Sequence, residues 1–145
     1  MSINNKKAFY DYHILEELVA GIKLIGSEVK SLRDGNANLT DSYVYIHDNE
    51  VFVKGLYVAK YKESSYMNHV EVCDRKLLLT KKQIRDLQKD LKVNGITIIP
   101  LSIFLQNGKF KLKIGVAKGK KSFDKRETIK ERDIKKQTQR ELNNN

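Results

Sequence analysis

The feature that most constrains the fold of this chain is a stretch in which lysines and apolar residues alternate, directly after an Asn-Gly pair. The lysines are Lys109, Lys111 and Lys113, and the apolar residues are Phe110, Leu112, Ile114 and Val116. Because successive side chains of a strand point to opposite faces, this period of two predicts a strand with one buried face and one lysine-bearing face. Asn107-Gly108 is the pair most typical of a two-residue hairpin turn. We therefore expect an antiparallel hairpin with one face buried.

Similar patterns predict strands in much of the chain before this hairpin. The predicted strands occupy residues 10–18, 22–25, 43–47, 51–58 and 96–105, with Asp48-Asn49 as a second hairpin turn. Gly21 permits a bend or bulge at residues 19–21, and Pro100 favours an edge or bulged position. Residues 36–41 and 60–74 are predicted to be loops.

Two short helices are predicted between the strands. The first lies between Ser27, its expected N-cap, and Gly35, its C-terminal stop. The second begins at Thr80 and Gln83, which form a capping-box pair, and it carries one apolar stripe. Strands without a regular strand–helix alternation indicate a mainly β fold. We expect an antiparallel barrel or curled sheet of about six strands with two or three short helices.

Basic charge is concentrated near the C-terminus. The chain has a net charge of +10, and residues 118–145 hold ten Lys and Arg against five Asp and Glu. Large apolar residues are too sparse there to form a core, so we expect a folded domain at residues 1–117 and a basic tail at residues 118–145. Asp124 and Glu127 form a capping pattern, which predicts a tail that is disordered when free and helical when docked on RNA.

The alternating lysines of the hairpin and the basic tail each allow two interpretations. Lysines at alternate strand positions lie about 7 Å apart, close to the phosphate spacing of a nucleic-acid strand. Lysine is also common on solvated strand faces and strand edges. The tail can bind a polyanion, or it can serve only to keep the protein in solution. Clustering of the positive charge favours nucleic acid in both cases.

Signals for catalysis, metal binding and membrane insertion are weak. Cys73 is the lone cysteine, the histidines are scattered, and Glu16 and Glu17 would point to opposite faces of a strand. No apolar run approaches the roughly 18 residues of a membrane-spanning helix. We therefore expect a cytoplasmic monomer that has no cofactor, metal or membrane partner and is not an enzyme. An RNA-processing enzyme with a basic docking tail is the alternative, and it would need a catalytic cluster.

Four segments, in order along the chain, resemble one bacterial family. They are GSEVKSLRDGNANLTDSYVYI (residues 26–46), RKLLL (75–79), IGVAKGKK (114–121) and DKRETIKERD (124–133). This combination is similar to SmpB, the SsrA-binding protein family, and the resemblance extends over essentially the whole chain.

The resemblance implies a fold, a set of partners and a function. The fold is an antiparallel OB-like β-barrel with flanking helices and a basic tail. The partners are tmRNA (also called SsrA RNA), the ribosome and EF-Tu in the delivery complex. The function is trans-translation: the protein binds the tRNA-like domain of tmRNA and delivers it to stalled ribosomes, and the tail becomes helical in the empty mRNA channel near the 30S decoding centre.

The residue patterns and the resemblance together give two sets of candidate residues. The candidate RNA-binding residues are Asn5, Lys6, Lys7, Tyr10, Glu28, Lys30, Arg33, Asn38, Lys111, Lys113, Lys118, Gly119, Lys120 and Lys121. The candidate ribosome-binding residues of the tail are Asp124, Lys125, Arg126, Lys130, Arg132, Lys135 and Lys136. A general RNA-binding protein, with no preference for tmRNA, is the remaining alternative.

Overall fold

The computed structural model describes residues 2–61 and 68–120, and within them the chain forms nine strands and three helices. The strands are β1 (Ser2–Asn4), β2 (Tyr12–Ile22), β3 (Ala37–Asn38), β4 (Tyr43–His47), β5 (Glu50–Lys54), β6 (Tyr57–Val58), β7 (Arg75–Leu78), β8 (Ile96–Gln106) and β9 (Lys109–Gly119). The helices are α1 (Lys6–Asp11), α2 (Gly26–Arg33) and α3 (Lys81–Leu91). The expected mainly β, antiparallel architecture is confirmed.

Six of these strands close into a barrel. Their order is β8-β4-β5-β7-β2-β9, and β9 pairs with β8 to complete the ring. β1 adds to the far half of β8, whereas β3 and β6 form a separate two-stranded sheet. All pairings are antiparallel, and ring closure leaves few free strand edges.

The two predicted hairpin turns have the geometry that their sequences favour. Asn107 and Gly108 have φ values of 52° and 77°, and Asp48 and Asn49 have values of 50° and 60°. Two successive positive φ angles are the mark of a type I′ turn, which matches the twist of the flanking strands. Both turns join directly paired strands, β8 to β9 and β4 to β5. The two hairpin predictions are confirmed.

The barrel interior is aliphatic, and β9 supplies one side of it. Leu112 and Ile114 are almost completely buried, together with Val53 on β5 and Ile98 on β8. Each side chain of this type stabilises the fold by about 1.5–3 kcal/mol when buried. The apolar face predicted for β9 is therefore the core face.

A second, smaller core lies on the outside of the barrel, under α1. Ala8 of α1 packs there with Ile99, Leu101 and Ala117. A Cβ atom on Gly115 would come within 2.9 Å of the Leu101 Cδ1 atom, so glycine at this position permits the close packing. From Ile114 to Ala117, β9 is therefore buried on both faces, and the simple alternation predicted from the sequence stops at this segment.

The N-terminal part of the barrel differs from the prediction. Tyr10 lies in α1 rather than in a strand, and β2 begins at Tyr12. The pairing of β2 with β9 shifts register between Ile14 and Glu16, so the bulge residue is Leu15. Residues 19–21 pair regularly with β9. The predicted bend at residues 19–21 is wrong, because the pairing with β9 continues through Gly21 without a register shift and Ile22 then pairs with Leu77 of β7.

Chain reversals account for most of the other differences. β5 ends at Lys54 because Gly55 has a φ of 83°, and a Cβ atom there would lie 2.8 Å from the Asp41 carbonyl oxygen. β6 then pairs with β3 inside the predicted loop at residues 36–41. β7 was not predicted. The predicted bulge near Pro100 is confirmed by a register shift between Pro100 and Ser102.

Helix boundaries follow local hydrogen bonds. Thr80 and Gln83 cap α3 reciprocally, as predicted. α2 ends before Gly35, whose φ is 76°, also as predicted. Its N-cap is Ile25 rather than Ser27, since the Ile25 N–H donates to Glu28 Oε1 at 3.0 Å. Ser27 is instead buried, with its Oγ atom 2.8 Å from Nδ1 of His69.

Candidate nucleic-acid interface

Asn5 fixes α1 against the barrel. Its Oδ1 atom accepts a hydrogen bond from the Ala8 N–H at 3.3 Å, which caps the helix. Its Nδ2 atom donates to the carbonyl oxygens of Leu39 at 3.3 Å and Pro100 at 2.9 Å. The side chain is buried and its polar atoms bond to protein. Asn5, a candidate RNA-binding residue, is therefore placed as a support for the surface rather than on it.

The end of β9 is fastened to the end of α1. Lys120 donates from its backbone N–H to the Asp11 carbonyl oxygen at 2.8 Å, and from Nζ to the Phe9 carbonyl oxygen at 3.1 Å. Directly before it, Gly119 pairs with Tyr12 and Lys118 pairs with His13. Segments more than 100 residues apart in sequence thus form one continuous surface.

This arrangement brings six candidate residues together, and we call them the exit surface. They are Lys6, Lys7, Tyr10, Lys118, Gly119 and Lys120. Lys6, Lys7 and Lys118 are exposed, and Lys7 makes a 3.5 Å ion pair with Asp41 on a neighbouring loop. An exposed ion pair of this kind contributes little stability, so the Lys7 ammonium can exchange Asp41 for a phosphate at small cost.

The lysines of β9 form a second basic strip. Lys109, Lys111 and Lys113 project from the outer face, but the Lys113 ammonium lies 3.0 Å from a carboxylate oxygen of Glu17. This strip does not continue to Lys118, because the buried residues Gly115 and Ala117 lie between them. The lysines of β9 and the exit surface are therefore two separate basic areas.

Glu28 lies in the interior and forms an ion pair with Arg75. The side chains of Arg75 and Glu28 are 2% and 6% exposed. The guanidinium also donates to the carbonyl oxygens of Leu56, Cys73, Val70 and Glu71. A buried charge is tolerated only when it is paired and hydrogen-bonded in this way. Glu28 was predicted to contact RNA, but its position gives it a structural role.

The remaining candidates on α2 and after it are exposed. Lys30 and Arg33 point to solvent, and the Lys30 ammonium lies 5.4 Å from the centre of the Tyr61 ring, a cation–π distance. The Asn38 side chain accepts a hydrogen bond from the Thr40 N–H at 2.8 Å. These residues belong to the α2 side of the barrel and are not part of the exit surface as defined above.

Sequence reasoning missed Arg75, the residue that organises this region. The available signal was an arginine two positions before an apolar run, at the start of RKLLL. Lys121 and the tail candidates from Asp124 to Lys136 lie outside the described residues. Among the residues that are described, no group of three His, Cys, Asp or Glu side chains is arranged to hold a metal ion. No helix in the same ranges is long and apolar enough to cross a membrane.

Comparison with known proteins gives matches over nearly the whole chain. A family model described as SmpB protein matches residues 2–144. The SsrA-binding protein of Sulfurihydrogenibium sp. (strain YO3AOP1) is 49% identical over 136 residues, which cover 94% of this chain and 90% of the relative. That of Acholeplasma laidlawii (strain PG-8A) is 49% identical over 138 residues, covering 95% and 93%.

A solved structure agrees with these matches. A chain from a study of tmRNA–SmpB and the bacterial ribosome aligns with a TM-score of 0.72 at 40% identity, covering 88% of this chain and 94% of that one. The similarity therefore includes both the barrel and the sequence that forms it. Because the family model also continues past the barrel to residue 144, this chain belongs to the SmpB family of SsrA-binding proteins.

Proposed function

We propose that this protein binds tmRNA through the exit surface and acts in trans-translation, the rescue of stalled ribosomes. The observation that carries the proposal is the pair of Lys120 hydrogen bonds that joins the lysines of α1 to those at the end of β9. Relatives at 49% identity are named SsrA-binding proteins, which supports tmRNA as the polyanion.

The chemistry of this surface suits RNA. Lys6, Lys7 and Lys118 neutralise phosphates and release counterions, and Tyr10 stacks on an exposed base. Lys111, Lys30, Arg33 and Asn38 extend the contact beyond the exit surface. The protein contributes binding and positioning, with no covalent step of its own.

The delivery steps form a further part of the proposal. The protein carries tmRNA to the stalled ribosome as a cytoplasmic monomer, in a complex that includes EF-Tu. The tail then becomes helical in the vacant mRNA channel near the 30S decoding centre. Its candidate contacts are Asp124, Lys125, Arg126, Lys130, Arg132, Lys135 and Lys136. A vacant channel is required because bound mRNA would exclude the tail.

The test compares the affinity of the full chain for tmRNA with its affinity for an equal mass of unrelated tRNA, at physiological salt. We expect clearly tighter binding of tmRNA. Equal affinities would contradict the proposal and leave only general binding of RNA by a basic protein. Incubating RNA with the protein, with and without a divalent metal ion, tests the enzyme alternative, which predicts steady cleavage.

A further inference from the structure

A small apolar cleft with acidic residues in its lining lies between β2, the end of α3 and the β8–β9 pair. Leu15, Val93, Ile96 and Val116 form the apolar part, and Glu16 and Asp90 complete the lining. Its volume is about 250 Å³. Small-molecule sites usually occupy roughly 300–1,000 Å³, so the cleft suits a single protein side chain better than a metabolite.

The apolar walls of the cleft are unusually open to solvent. Leu15 is 60% exposed and Val93 is 59% exposed. Leu15 is the bulge residue of β2, and a bulge re-aims a side chain that would otherwise follow the regular alternation. Glu16 and Asp90 disfavour RNA phosphates at this place. Apolar walls beside carboxylates instead fit an apolar side chain that has basic neighbours.

The tail of this chain begins beside the cleft. Ile96 lies directly across from Lys118, so the two side chains share one face of the sheet. Lys120 is two residues farther along, where its two hydrogen bonds to α1 fix the chain. This places the Cα atom of Lys120 about 8–9 Å from that of Ile96, given the usual strand spacings. Phe123 follows three residues later, and three residues span up to about 10 Å.

The sequence around Phe123 has the chemistry that the cleft would select. Phe123 is a large apolar residue between Ser122 and Asp124, with Lys121 two positions before it and Lys125 and Arg126 two and three positions after it. We propose that Phe123 docks in the cleft when the protein is free, with the basic residues beside it facing Glu16 and Asp90. Because the short connection holds the effective concentration in the millimolar range, a weak contact is enough to hold the tail there.

The docked state concerns the free protein and does not depend on tmRNA as the ligand. It has a consequence for the tail, because a tail partner must first displace Phe123 from the cleft. The barrel would thus hold the start of the tail until a competing site is available.

The test is methyl NMR on the full chain with and without Phe123→Ala. A phenyl ring in the cleft shifts the methyl resonances of Leu15, Val93 and Ile96, so the substitution should move them while the core methyls of Val53 stay in place. Ile129→Ala, another apolar substitution in the tail, is the matched control and should move none of them. Cleft resonances that are unchanged by Phe123→Ala would overturn the proposal. Since Phe123 follows the last barrel strand, folding is not at risk.

Two further measurements test whether the cleft is occupied by the tail of the same chain and whether its carboxylates contribute to the docking. The Phe123 effect should be independent of protein concentration, whereas an effect that appears only at high concentration would indicate a second copy of the chain and overturn the proposal. The double substitution Glu16→Lys and Asp90→Lys should reproduce the shifts of Phe123→Ala, because it repels the basic residues around Phe123. If Phe123→Ala shifted the cleft methyl resonances in the double variant as much as in the parent protein, the assigned charge pairing would be wrong.

Discussion

At the scale of single residues, the ion pair of Glu28 and Arg75 is the most demanding feature of the interior. Both side chains are almost fully buried. Glu28→Gln would leave the Arg75 charge in the interior without its counter-charge, and we expect a loss of about 3–5 kcal/mol in the free energy of unfolding. Urea unfolding measures it. Asp86→Asn, the same chemical change at an exposed position of α3, should stay within about 0.5 kcal/mol. Equal stability of the two variants would contradict the structural role of Glu28.

A second residue-scale prediction concerns Tyr45 and pH. The Tyr45 hydroxyl donates to the Asp74 carboxylate at 2.6 Å, and this hydrogen bond, followed by partial burial, raises the pKa of Tyr45 above its usual 10.0. The folded state therefore favours the protonated phenol. The stabilisation is fully present below pH 10 and is lost as the pH rises through the folded-state pKa.

Asp74→Asn should lower the pKa of Tyr45 and weaken the loss of stability above pH 10. Phenolate absorbance follows the titration directly. The pKa of Tyr57, which is raised mainly by its hydrogen bond to Glu71, serves as an internal control and should not change. A titration identical to that of the parent would show that the Asp74 contact does not hold in solution.

At the scale of elements, the attachment of α1 to β9 depends on Gly115. Gly115→Ala forces a Cβ atom into Leu101 and Ile14, and overpacking of this kind costs about 1–3 kcal/mol. Gly119→Ala on the same strand meets no atom within 4 Å and is the matched control. Thermal unfolding compares the two. A harmless Gly115→Ala would mean that α1 packs less closely than described.

Asn5 and Lys6 are adjacent on this element but should affect RNA binding differently. Lys6→Ala removes a proposed phosphate contact, so the slope of log affinity against log salt should fall by about one. Asn5→Ala loosens α1 without removing charge, so it should lower the affinity and leave the slope nearly unchanged. Binding of tmRNA measured across a salt series tests both. Equal changes in slope for the two variants would contradict the assignment of Lys6 to phosphate contact and of Asn5 to structural support of α1.

The elements differ in how far the sequence predicts them, and the reason is the range of the interactions involved. β9 and its turn were predictable because alternation and Asn107-Gly108 act locally. α1 has only six residues, and Asn5 holds it through carbonyl groups of residues 39 and 100. β7 begins at Arg75, whose charge is paired with Glu28, 47 residues earlier in the sequence. A local pattern therefore gives no sign that this arginine is buried. No glycine or proline marks the bulge at Leu15.

The candidate site was also predictable only where its signals are local in sequence. Lys6, Lys7 and the Lys118–Gly119–Lys120 segment stand out as basic clusters in the sequence, but their meeting depends on the strand ladder between β2 and β9. Asn5 and Glu28 were assigned to the surface because a polar residue in a family motif resembles a ligand contact. Only the hydrogen bonds that Asn5 and Glu28 make to groups inside the protein distinguish a structural role from a ligand contact.

At the scale of the whole molecule, the barrel and the tail should have separable functions. Deleting residues 124–145 removes seven Lys and Arg and five Asp and Glu, a net charge of only +2. We therefore expect a truncated protein that ends at Phe123 to bind tmRNA nearly as well as the full chain but to fail in tagging on stalled ribosomes. Binding and tagging assays on the same preparation test this. If truncation abolished RNA binding, the tail would be a simple RNA anchor.

The closure of the barrel by its last strand also has a consequence for how the chain folds. β9 pairs with its neighbour β8 through a two-residue turn, but its other partner, β2, begins 107 residues earlier, with Tyr12 opposite Gly119. Contacts this distant in sequence slow folding, because their loop-closure entropy must be overcome before they stabilise the chain. A nascent chain can form the β4–β5 hairpin early, yet it cannot close the ring until β9 has been made. Before β9 is made, β2 and β8 each have an unpaired strand edge. The Asn107-Gly108 turn lets β9 pair with β8 as soon as it is made, which shortens the time for which the edge of β8 stays unpaired.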